Sequence, residues 1–304
     1  MDSNEILRLA VMHKTIIPAF NVPRLPMLEP IVAAIVDEDG IAMVQVAKLE
    51  WGKFDAGSLE AVAEEYARFC DEGHTLLHLD HIPEIDEDDM AVDVLPIIRR
   101  AIDAGYGSVM VDASRLPFVG NVASTRRVAD MAHAAGIYAE AELGSVAGHE
   151  SGGIGMDYEE LFRTRKGFTD IGSARDFVRE TGCDWLSVAV GSVHGAIAAN
   201  TRNDIKPEAR LDIGHIKALR EATGGIPLVL HGGSGINREC ILEAVASGIA
   251  KINVGTEVRQ AYDFALRDEP GDILNAQDKV YDKVRHIMRH FLNVSGNRSR
   301  FFPE

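Results

Sequence analysis

The chain has 304 residues, 46% hydrophobic and only 6% aromatic, which is enough for one large barrel or two average domains. A formal charge of −16 disfavours a nucleic-acid groove or an anionic membrane surface, so any phosphate bound here must be held by local donors. Cys70, Cys183 and Cys240 are odd in number and lack CxxC spacing, and no apolar run has signal or membrane length, so a cytoplasmic protein without membrane segments or disulfides is expected.

Short apolar runs alternate with stretches of helical period along the whole chain. Strands are predicted at 16–20, 41–46, 75–79, 108–111, 137–141, 185–190, 227–230 and 250–254, with helices such as 59–70, 91–104, 122–135, 174–180, 213–222 and 238–246 between them. Gly105, Gly136, Gly182 and Gly248 stand where these helices should stop. Repeated βα units of this number predict a (β/α)8 TIM barrel of the α/β class, with a doubly wound open sheet as the competitor. A single domain over 1–304 is expected, its last part, 278–304, forming an extra C-terminal helix and tail. Val280, Val284, Ile287, Met288 and Phe291 make one apolar stripe there, suited to the barrel's own core or to an interface. Residues 144–173 read as a long irregular loop, as lids often are.

In a barrel the carboxyl ends of the strands build the site. Those ends carry Asn21, Asp80 and His81, Asp112, Glu140 and Glu142, His194, His231 and Asn253. Each alone suits a turn or a satisfied core position. Together, three histidines and four carboxylates on one rim would crowd like charges unless a cation compensates them. Three neutral imidazoles, His81, His194 and His231, with one position open would suit a catalytic zinc ion. His13, His74, His78, His133, His215, His286 and His290 fall on helices or in mid-segment and are read as structural. The run Gly232–Gly233–Ser234–Gly235 precedes a helix that Asn237 could cap, and Asn253–Val254–Gly255–Thr256 enters another. Both lie where barrels of this kind bind phosphate.

The segments HLDH (78–81), AELGSVAG (141–148, read with Glu140 before it), SVHG (192–195), LVLHGGSG (228–235) and KINVGTE (251–257) resemble the class II, metal-dependent ketose-bisphosphate aldolases of the fructose and tagatose type, over about 15–265. The resemblance implies that His81, His194 and His231 bind a divalent metal, usually Zn2+, with Glu142 and Asp112 as alternative or second-site ligands. It implies Asp80 and Glu150 as the catalytic proton carriers. Asn21, Gly195, Gly232, Gly233, Ser234, Asn253, Gly255 and Thr256 would bind substrate, the last several around its phosphate, with a monovalent cation close by. The expected reaction is reversible cleavage of a ketose 1-phosphate or 1,6-bisphosphate to dihydroxyacetone phosphate and an aldehyde. A homo-oligomer, dimer or tetramer, is also expected.

Three departures from the family pattern fall on the aldehyde side. HLDH is followed by Ile82–Pro83 and an acidic run from Glu84 to Asp89; Lys48 and Glu50 stand where a small hydroxyl residue is usual; the C-terminal pattern differs. From Lys279 onward six Lys/Arg face two acids, which suits a solvated or interface-facing helix or, equally, a contact from Arg298, Arg300 or Lys48 to an anionic aldehyde, within the chain or across a dimer. The competing enzyme is a metal-dependent sugar-phosphate epimerase or isomerase on the same barrel. A Schiff-base aldolase through Lys48 or Lys251 would leave the three histidines unexplained.

Overall fold

A computed structural model describes residues 1–144, 158–192, 209–233 and 235–303. Eight parallel strands close into a barrel in sequential order: β1 (Ile17–Asn21), β2 (Ala42–Ala47), β3 (Thr75–Pro83), β4 (Ser108–Asp112), β5 (Tyr138–Leu143), β6 (Trp185–Val188), β7 (Leu228–Leu230) and β8 (Ile249–Val254). β8 pairs with β1, so the open-sheet alternative is excluded. Each predicted strand is present, displaced at its ends by a few residues.

The barrel interior is divided along its axis. Its lower half is apolar and plugged by a helix that periodicity did not single out, α1 (Ser3–Met12). Asp2 caps this helix by accepting from Glu5 N at 2.8 Å. Ile6, Leu7 and Ala10 then pack on Ile17, Met43, Trp185 and Val229, while Asn4 Oδ1 accepts from Trp185 Nε1 at 3.1 Å. With the lower end sealed by apolar contacts, the polar inward residues are left to the upper half.

Outside the sheet lie α2 (Leu28–Asp37), α3 (Lys48–Lys53), α4 (Leu59–Phe69), α5 (Val94–Asp103), α6 (Phe118–Ala134), α7 (Tyr158–Thr164), α8 (Ile171–Thr181), α9 (Ile213–Ala222), α10 (Arg238–Ser247) and α11 (Thr256–Asp268). Asn237 caps α10, accepting from Cys240 N at 2.8 Å. α2 hides its period because it is apolar on nearly every face: one side covers the strands and the other receives α12 (Ile273–His286). α12 begins a turn before the predicted 278 because Asp272 caps it, accepting from Asn275 N. Its stripe, with Val280, Val284 and Met288 fully buried, belongs to the chain's own core. The stretch 144–173 is not irregular throughout, since α7 and the start of α8 fall within it; residues 145–157 lie outside the described part.

The C-terminal basic residues serve the lower end. Arg285, Arg289 and Ser295 all donate to Glu38, whose side chain is 1% exposed. Burial alone would raise the Glu38 carboxyl, but these hydrogen bonds outweigh it and hold it below the usual range. Arg298 and Arg300 sit on α13 (Asn297–Phe301), where Arg298 Nε donates to Gly73 O, just before β3 begins, and Phe301 joins the lower plug. Within one chain, α13 thus carries both arginines to the lower end of the barrel, away from its own upper mouth. Among the described residues no helix is long and apolar enough to cross a membrane.

Candidate active site

Alternation along β3 would turn only one of Asp80 and His81 inward. The β3–β4 register shifts between Leu79 and Ile82, and His81 has a positive φ of 24°, so the strand is kinked at that point. Both side chains therefore reach the mouth, where His81 Nδ1 lies 3.1 Å from Asp80 Oδ1.

His231, just beyond β7, meets them from the other side of the barrel. Its Nδ1 lies 3.1 Å from His81 Nε2 and 3.1 Å from Glu142 Oε2, and His81 Nε2 is 3.5 Å from that same oxygen. Two imidazole nitrogens and a carboxylate oxygen thus point at one small volume. His81 and His231 also group with Asp80, their ligand atoms lying within 4.8 Å of one another, and Asp112, with Ser114 donating to its Oδ1, groups likewise with His81 and Glu142. His194, Glu150, Gly195 and Ser234 lie outside the described residues.

Each of the inward groups is oriented from below. Glu140 Oε1 is 2.9 Å from His231 Nε2, which leaves Nδ1 as the nitrogen turned to the cluster. Lys251 Nζ donates to Glu140 Oε2 at 2.9 Å and to Asn253 Oδ1 at 2.8 Å, and both Lys251 and Glu140 are wholly buried. Asn253 Nδ2 donates in turn to Asp80 Oδ1 at 3.0 Å, and Asn21 Nδ2 donates to Asp80 Oδ2 at 3.0 Å. Asn21 also donates to Glu50 Oε2 at 3.2 Å and accepts from Gln45 Nε2 at 2.8 Å. Gln45, Glu50, Glu140 and Lys251 thus complete a belt of buried polar groups, with His78 beneath it bonded to Ser108 at 2.8 Å.

The electrostatics follow from this crowding. Burial favours a neutral His81, but Asp80 and then Glu142 overcome it and hold the imidazole well above its ordinary range. Burial and the neighbouring His81 both oppose charge on His231, yet Glu140 and Glu142 raise it too. Asp80 and Glu142 are held low despite their burial, by the paired histidines above all. By contrast His78 is driven down to about 3 by burial and then by the Lys251 charge, so it is neutral. Its Nε2 lies 3.4 Å from Glu140 Oε2 without hydrogen-bond geometry.

The donor set fits a divalent cation on its own chemistry. Only one proton can lie between His81 Nε2 and His231 Nδ1, so two ring nitrogens and a carboxylate oxygen at this spacing are better satisfied by one positive ion.

The expected substrate contacts are more mixed. Gly232, at φ 70°, and Gly233 follow β7; a Cβ on Gly233 would come 2.8 Å from Ile252 Cδ1, so the loop lies flat on the barrel. Gly255 and Thr256 open α11 just beyond β8, the strand that pairs with β7, so that helix's first N–H groups lie at the same end of the barrel. Asn21 donates to Glu50 and Asp80 and Asn253 donates to Asp80, so both position Asp80 directly. Lys251 is similarly committed to Glu140, which disfavours a Schiff-base role.

A closed (β/α)8 barrel with imidazole and carboxylate donors at its upper mouth is the architecture of a metal-dependent barrel enzyme, a class that lyases share with epimerases and isomerases. The family described as fructose-bisphosphate aldolase class-II matches residues 1–298, and the chain belongs to it. It is 34% identical over 291 residues to a fructose-bisphosphate aldolase from Geobacillus stearothermophilus, covering 94% of this chain and 90% of that one. A fructose-bisphosphate aldolase from Staphylococcus aureus is 37% identical over 211 residues, covering 69% of this chain and 63% of that one. The crystal structure of the YdjI aldolase from Escherichia coli K12 superposes with a TM-score of 0.77 at 26% identity, covering 98% of each chain. The protein is therefore an aldolase of the metal-dependent class, and the epimerase alternative is not favoured.

Proposed function

We propose that this aldolase cleaves a ketose carrying a 1-phosphate, releasing dihydroxyacetone phosphate and an aldehyde. The observation that carries the reading is the meeting of His81, His231 and Glu142 beside an Asp80 held by two amides. The metal is proposed to be zinc, with His81, His231 and His194 as its ligands and Glu142 and Asp112 as a second position. Such an ion supplies Lewis-acid stabilisation of the charge left on the ketone-bearing fragment.

The chain's own residues do the rest. Asp80 takes the proton of the hydroxyl on the carbon that becomes the aldehyde, and returns it in the synthetic direction. The amides of Asn21 and Asn253 keep its two oxygens fixed, so little reorientation is needed during transfer. Glu150 is assigned the carbon-bound proton of the phosphate-bearing fragment on the strength of the sequence resemblance. The Gly232–Gly233 turn and the start of α11 at Gly255 and Thr256 offer N–H donors to the 1-phosphate, with Gly195, Ser234 and a monovalent cation completing that end.

Coupled detection of dihydroxyacetone phosphate from a panel of ketose phosphates tests the reading. Asp80→Asn is expected to lower kcat by ~10²-fold or more while leaving bound metal unchanged. Near-normal turnover would remove Asp80 from proton transfer, and loss of metal would make it a ligand instead.

A further inference from the structure

In the closed strand order β7 and β8 stand opposite β3 and β4. A ketose anchored by its 1-phosphate on the β7 and β8 loops and crossing the central His81–Asp80 cluster therefore carries its far end toward α3 and the loops after β3 and β4. Among the described residues that side contains no unpaired cation: Arg24, paired with Asp55 and Asp263, and Arg259, paired with Asp263 and lying over the Phe54 ring, border it and are engaged. In segments 48–58, 84–93 and 113–117 eight carboxylates face three basic residues. All three are engaged: Lys48 with Asp86 at 3.2 Å, Lys53 with Glu87 at 3.2 Å and Asp88 at 2.8 Å, and Arg115 with Asp89 and with Asp86 O. Recognition of a phosphate or carboxylate needs available cations or N–H donors, so this wall is wrong for a second anion.

Glu50 is the residue of that wall closest to the reacting groups by connectivity, one amide away from Asp80. It is 8% exposed and enters through a local turn: its Oε2 accepts from Ala47 N at 2.8 Å and from Asn21 Nδ2 at 3.2 Å. Its other oxygen, Oε1, has no hydrogen-bond partner among the described residues. We infer that the aldehyde half of the substrate is uncharged and hydroxyl-bearing, that the enzyme is a ketose 1-phosphate aldolase in preference to a 1,6-bisphosphate aldolase, and that Glu50 is a specificity-determining residue receiving a substrate hydroxyl at Oε1. Burial, followed by opposition from the backbone N–H of Ala47 and reinforcement by the Asp80 charge, leaves the Glu50 carboxyl pushed up to about 8. A hydroxyl pairs with either protonation state of that group, whereas a phosphate dianion beside it adds repulsion to Asp80 and to the acidic loop.

This inference rests on the proposed cleavage reaction, and the test separates the two. The rate of dihydroxyacetone phosphate release is measured for fructose and tagatose 1-phosphates and for the matching 1,6-bisphosphates, on the metal-loaded full chain. The expected result is a higher kcat/KM for the 1-phosphate of whichever sugar is cleaved. An equal or higher value for the bisphosphate overturns the inference while leaving the aldolase reading intact; no release from any of the four overturns both. Glu50→Ser, which removes the carboxyl, is expected to cut the preference at least threefold, and an unchanged ratio in the folded variant removes Glu50 from specificity. Should the serine variant fail to fold, Glu50→Gln keeps the length and the cap and is read in the same way.

Discussion

A His231→Ala protein is expected to fold, to lose most of its bound metal, and to fall in kcat/KM by ~10³-fold or more, about 4 kcal/mol of transition-state stabilisation. His231 faces two ways: Nδ1 into the cluster with His81 and Glu142, Nε2 onto Glu140. Alanine removes one of few neutral donors from the site, and loss of a direct ligand should exceed the 10- to 100-fold in metal affinity usual for an outer partner. The barrel should survive, because Glu140 keeps its ion pair with Lys251 at 2.9 Å. Elemental analysis, circular dichroism and the cleavage assay on one preparation check all three parts. Full metal occupancy with near-normal turnover would contradict the assignment of His231.

The second large effect concerns stability. Lys251→Met preserves the length and apolar stem of the side chain but leaves Glu140 buried beside neutral His78, with Asn253 missing its donor as well. Burial raises the Glu140 carboxyl, yet the Lys251 charge, assisted by His231, holds it down at about 2. Deleting one partner of such a pair is expected to cost ~3–5 kcal/mol in urea unfolding at neutral pH. Adding Glu140→Gln to the same chain should recover a good part of that loss, since the stranded charge disappears. A single variant as stable as the wild type would show that the pair does not carry the load assigned to it.

The parts of this protein that were legible beforehand are those governed by local period and by strand ends. β-branched runs fixed the eight strands, and the barrel rule then gathered Asp80, Asp112, Glu142, His231 and Asn253 at one mouth, because each closes a strand or immediately follows one. What escaped depends on tertiary context. The kink that turns His81 toward the same mouth as Asp80 is a register shift between β3 and β4, which no single strand encodes. α1 is a short helix whose value lies in plugging the lower barrel, and α2 is too uniformly apolar to show a face. Arg298 and Arg300 looked like ligands for an anion because they stood out in an acidic chain. Arg298 instead ties the C-terminus under the barrel through Gly73 O, and Arg300 lies on the same short helix, a placement set by where α13 lands. Glu140 and Lys251 could be placed inside the barrel by alternation, but their partnership links β5 to β8 across its interior.

The most direct test of the account is the cleavage activity of chelator-treated wild-type protein as Zn2+ is added back. Negligible release of dihydroxyacetone phosphate is expected from the metal-free chain, with recovery that saturates at about one equivalent per chain. Metal-free protein that cleaves at the full rate would contradict it.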